Sequence, residues 1–82
     1  MDNFLKRVAQ TAIEAYQKNE VITVDYLTDS ATASLTGLVN FVSNNDYFYL
    51  TRHGEVTRID FEDVQNIDFL HQQWWQVQLQ NN

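Results

Sequence analysis

Apolar residues recur along this chain with two different periods, and the change of period marks the change of structure. From residue 3 to residue 18 they fall at Phe4, Leu5, Val8, Ala9, Ala12, Ile13 and Tyr16. That i, i+3, i+4 spacing predicts an amphipathic helix. Asp2 or Asn3 is placed to cap its start, and Lys18 lies in the last turn, where a cation suits the helix dipole. A helix of this kind is expected to lay its stripe on a sheet rather than offer it to a partner, because a small sheet otherwise keeps one bare face.

Beyond residue 19 the period falls to two. Residues 20–28 place Ile22, Val24 and Tyr26 on one face of a strand and Thr23 and Asp25 on the other. Asp29 to Thr32 reads as a loop. A second strand runs from about Ala33 to Val42, Ser43-Asn44-Asn45-Asp46 supplies turn chemistry, and Tyr47 to Thr51 forms a third strand. The chain has two glycines and no proline, so a glycine inside a strand is informative. Gly37 predicts a sharp bend, a bulge or a close backbone approach. His53-Gly54 predicts a tight hairpin with positive φ at the glycine. A fourth strand covers Val56 to Asp60, Phe61 to Val64 makes one helical turn, and a fifth strand starts near Gln65. In residues 71–82, Trp75, Val77 and Leu79 alternate with glutamines, which predicts an extension of the fifth strand or a sixth.

Composition narrows the class. Eighty-two residues make one domain, here read as residues 1–70 with residues 71–82 as a tail. Without cysteine there is no disulfide, thiolate nucleophile or cysteine-based zinc site. The first ten residues lack the apolar core of a signal peptide, and no run reaches membrane-spanning length, so a soluble cytoplasmic protein is expected. Eleven acidic residues face five basic ones, for a net charge of −6. Lys6, Arg7 and Lys18 lie in the helix and Arg52 and Arg58 in the sheet, so no basic stripe tracks a phosphate backbone.

Candidate chemistry is sparse. His53 belongs to a turn and His71 to the tail, without HxH or HxxxH spacing. Asp60, Glu62, Asp63 and Asp68 could form a magnesium or acid–base cluster. They alternate with Phe61, Val64, Ile67 and Phe69, which reads as the wet side of a half-buried ribbon. The expectation is therefore no catalytic residue, no cofactor and no metal. Aromatic residues are more telling: Tyr26, Tyr47, Phe48 and Tyr49 crowd the central strands, and Trp74 adjoins Trp75. Neighbours on a strand point to opposite faces, so at most one of the two tryptophans fits a monomer's core. The other is either simply exposed or part of an interface.

The run Ile22-x-Val24-x-Tyr26, then Leu35-x-Gly37-x-Val39, Phe48-x-Leu50 and Ile59-x-Phe61-Glu62-Asp63-Val64-x-x-Ile67 resembles the YolD-like family of small bacterial proteins. The resemblance spans about residues 16–70 and lies in apolar spacing. It implies an Sm-like or SH3-like small barrel and an accessory role linked to DNA-damage tolerance. RNA-binding Sm proteins carry an Asp and an Asn between strands two and three; counted from Gly37, those positions hold Ser43 and Tyr47, and no Arg-Gly pair exists in the chain.

The expected protein is α+β: an N-terminal helix followed by a five-stranded, strongly bent antiparallel Sm-like or SH3-like barrel. Its expected function is that of a non-enzymatic protein-interaction or regulatory module that self-associates, with no membrane and no nucleic acid as partner. Open strand edges and the tail are expected to contact a second chain by strand addition. The candidate surface comprises Trp74, Trp75, Val77 and Leu79 with Tyr47 and Tyr49. The rival expectation is an Sm-like nucleic-acid-binding protein.

Overall fold

The computed structural model describes residues 3–43 and 46–70. Helix α1 (Asn3–Lys18) leads into five strands: β1 (Val21–Leu27), β2 (Thr32–Val42), β3 (Tyr47–Arg52), β4 (Glu55–Asp60) and β5 (Val64–Phe69), with a 3-10 turn (Phe61–Asp63) between the last two. The strands form one antiparallel sheet in the order β4-β3-β2-β1-β5. It is an α+β architecture in which β4 and β5 are the two outer strands, and they are not hydrogen-bonded to each other. Among the described residues, no helix is long and apolar enough to cross a membrane.

Each turn follows from its residues. Thr28 brackets the β1–β2 loop, its N–H donating to the Ala31 carbonyl at 2.7 Å and its hydroxyl to the same oxygen at 2.8 Å. Between β2 and β3, the Ser43 N–H donates to the Tyr47 carbonyl at 2.8 Å. At the β3–β4 hairpin, His53 and Gly54 both take positive φ, 53° and 81°. That pair of left-handed residues matches the twist of the flanking strands, as expected of the glycine. The Phe61 N–H donates to the Asp46 carbonyl at 2.9 Å and ties the 3-10 turn to the residue just before β3.

The core lies on one face of the sheet. Cross-strand registers build inward rows: Phe69, Ile22 and Gly37; Ile67, Val24 and Leu35; Val39 and Leu50; Val42, Phe48 and Ile59. Ile22, Leu50, Phe48, Ile59 and Ile67 are fully buried, each contributing about 1.5–3 kcal/mol by leaving water. Phe48 stacks obliquely on Phe61, centroids 6.0 Å apart. The helix closes this face with small residues: Val8, Ala12 and Ala15 are the ones fully buried. The broad stripe expected from sequence is thus narrower. Ala9 packs at the core's margin, while Phe4, Leu5, Ile13 and Tyr16 stay substantially exposed. Alanines let the helix backbone approach the sheet, and that approach leaves the larger side chains at its flanks.

Two irregularities bend the sheet. The β2–β3 register shifts between Val39 and Phe41, so Asn40 is the extra residue of a bulge. The β1–β5 register shifts between Asp25 and Tyr26. Gly37 meets the third strand where it curls over the second. A Cβ there would stand 3.1 Å from the Thr51 carbonyl carbon and closer still to its oxygen. Close backbone approach is therefore the reason for this glycine.

Candidate interaction surface

The other face of the same strands is wet at one end and apolar at the other. Toward the β1–β2 loop it is polar: Asp68, Thr23 and Thr36 form one row, Asn66, Asp25 and Ser34 the next, with the Thr23 and Thr36 hydroxyls 3.0 Å apart. Toward β3 and β4 the character changes. Val21, Leu38, Thr51 and Val56 line one row, and Phe41, Tyr49 and Arg58 another, with Tyr47 opposite Asp60. The bulge at Asn40 sets this. It lets Val39 and Val42 both face inward while Phe41 turns out to join the tyrosines.

Phe41, Tyr47 and Tyr49 form a closed triad with centroids 5.4, 5.7 and 6.2 Å apart and tilted planes. The Arg58 guanidinium lies 4.0 Å over the Tyr47 ring. Its Nε donates to Asp60 Oδ1 at 3.0 Å, and that hydrogen bond raises the guanidinium pKa further above its ordinary value. The Tyr49 hydroxyl beside Tyr47 is the main reason the Tyr47 phenol sits above its ordinary value. Leu38, Phe41 and Val56 remain 42%, 44% and 55% exposed. Single exposed apolar residues are ordinary, but a contiguous group beside an aromatic cluster marks a surface suited to contact.

Tyr47 and Tyr49, two of the residues expected to form an interaction surface, are thus brought together. Trp74, Trp75, Val77 and Leu79 lie outside the described residues, as does His71. Phe41, Leu38 and Val56 were missed from sequence. Phe41 escaped because alternation counted through the bulge assigns it the wrong face; Val56 could have been found from its place on an end strand.

The acidic residues are dispersed. Asp60 is engaged by Arg58 on β4, whereas Asp68 lies on β5, at the opposite side of the sheet, 4.0 Å from Arg7 and bonded to Asn66 at 3.3 Å. Among the described residues, no three His, Asp or Glu side chains are grouped to hold a metal ion. His53 stands exposed in its hairpin, beside an open hollow of about 370 Å³ lined by Leu35, Arg52, Glu55 and Thr57. Ser43 and Tyr47 close the β2–β3 connection through their backbones. Comparison with protein-family models, with curated proteins and with solved structures gave no match.

Proposed function

We propose that this protein is a non-enzymatic interaction module that self-associates through the outer face of β2–β4 and the free edge of β4. The observation that carries this reading is the exposed group of Leu38, Phe41 and Val56 around the Tyr47–Tyr49 pair. An exposed strand edge is a template for pairing with another chain, and aromatic and apolar side chains beside it supply the area that makes such pairing specific. The order of helix, strands and 3-10 turn supports an Sm-like or SH3-like small barrel, and the spacing around Gly37 supports a YolD-like accessory role in DNA-damage tolerance.

Sedimentation across a concentration series tests the function. The wild-type mass is expected to rise with concentration, and Val56→Lys, which puts a charge beside the β4 edge, is expected to hold the protein monomeric. A wild-type mass equal to one chain at every concentration overturns the reading. The rival, an Sm-like nucleic-acid-binding protein, draws support from the aromatic triad, since bases stack on such platforms. It is disfavoured by charge: Arg58, the cation at the triad, is engaged by Asp60. Oligonucleotide binding that strengthens as salt falls would favour the rival.

A further inference from the structure

A second strand edge lies inside the sheet. β3 pairs with β2 only over Leu38 to Val42, and turns into its hairpin after Arg52. Thr32 to Thr36 therefore have β1 on one side and, among the described residues, no strand on the other. Gly37 marks the point of departure, where the Thr51 carbonyl presses on β2. The Thr28 N–H donates to the Ala31 carbonyl, so bonded and non-bonded pairs alternate from that loop onward. By that count the backbone groups of Thr32, Ser34 and Thr36 point away from β1, toward the side that β3 leaves. We propose that this half-edge is what the β4 edge binds: β4 of one copy adds antiparallel to residues 32–36 of the next, head to tail. The assignment rests on the self-association proposed above and names the surface that receives β4.

Charge on the two strands favours this pairing over β4 against itself. The two-residue loop His53-Gly54 is closed by the Arg52–Glu55 pair, so Val56, Arg58 and Asp60 turn their backbone groups to the free edge. Laid against a copy of itself about a two-fold axis, β4 overlaps most fully when centred on Thr57 or Arg58. Both registers bring the two Arg58 side chains diagonal or opposite to each other, and like charges so placed repel. Residues 32–36, Thr-Ala-Ser-Leu-Thr, carry no charge. Strand edges are commonly protected by charged side chains, and this one is not. With Val56 opposite the partner's Ser34 and Arg58 opposite the partner's Thr32, the outer faces of the two copies join, and Arg58 meets a hydroxyl. Glu55 then faces the partner's Leu35, at the hollow of about 370 Å³. That hollow is lined by Arg52 and His53 against a single Glu55, and neither Arg52 nor His53 has an ion pair among the described residues. The incoming carboxylate is therefore matched in charge.

The two edges can be broken one at a time. Ser34→Lys charges the β2 half-edge and Val56→Lys the β4 edge, each at an exposed position. In the full-length protein each variant alone is expected to sediment as one chain. An equimolar mixture of the two is expected to give the two-chain mass, since the Val56→Lys chain still offers residues 32–36 and the Ser34→Lys chain still offers β4. Contact of β4 with β4 cannot produce that rescue. Thr32→Lys, at the exposed loop end of the same half-edge, repeats the test should Ser34→Lys lose the wild-type circular dichroism. A mixture that stays at the one-chain mass would overturn the proposal. So would a folded Ser34→Lys variant that associates as the wild type does while Val56→Lys does not; self-association through β4 would then stand without this receiving edge. Wild-type protein at the one-chain mass at every concentration would remove both.

Discussion

The two faces of β2, β3 and β4 are built from alternate residues of the same strands, yet they are organised by different needs. Inward, Val39, Phe48, Leu50 and Ile59 are excluded from water and sealed by α1. Outward, Phe41 is 44% exposed and Tyr47 and Tyr49 are only partly buried. A chain under pressure to fold alone gains little from aromatic rings on its wet face. The inner face accounts for stability, and the outer face is the one proposed above for contact with a second copy.

The largest expected effect is on the inner face. Phe48→Ala removes a fully buried ring that stacks on Phe61, and is expected to cost about 4 kcal/mol in chemical denaturation. Gly37→Ala should cost about 2–3 kcal/mol, because its neighbour is the Thr51 backbone and has no rotamer to yield; a thermal shift of nearly zero would mean that the strands do not cross as closely as described. Phe41→Ala is expected to reverse the pattern, with under about 1 kcal/mol lost from the monomer but a clear fall in self-association by sedimentation. If stability fell as far as for Phe48, the distinction between the faces would collapse. Thr51→Val should be neutral or stabilising by up to about 1 kcal/mol, since the buried Thr51 hydroxyl has no hydrogen-bond partner among the described residues.

The smallest effect is electrostatic and sharpens the outer face. The Tyr47 phenol is held above its ordinary value chiefly by Tyr49, so the folded state binds that proton more tightly than the unfolded chain does. Its contribution is present below the ordinary tyrosine pKa of about 10 and is lost as pH rises through the higher folded value. Tyr49→Phe is expected to bring the Tyr47 titration down toward the ordinary value, read by NMR of the ring protons.

Much of this fold was legible in the sequence because it rests on local signals. The helix limits, the His53-Gly54 hairpin and the constraint at Gly37 follow from periodicity and from two glycines in a chain without proline. What could not be read were consequences of three-dimensional packing. Asn40 looks like any polar strand residue, and only its failure to find a partner on β3 shows that the alternation skips there. Phe4 and Tyr16 satisfy the helical pattern as well as Val8 does, but small alanines elsewhere on the helix decide how close it lies. The surface was half legible for the same reason: Tyr47 and Tyr49 lie on regular strand, whereas Phe41 reaches them only through the bulge.

The strand order also fixes a sequence of events in time. β2, β3 and β4 pair only with neighbours in the chain, but β1 must wait for β5, with Ile22 matched to Phe69. Such distant pairing carries the loop-closure entropy that slows folding. During synthesis the hairpins can form first, leaving β1 with one bare edge and the helix without its full floor until β5 emerges. The step that completes this core therefore waits for the pairing of the two strands most distant in the chain.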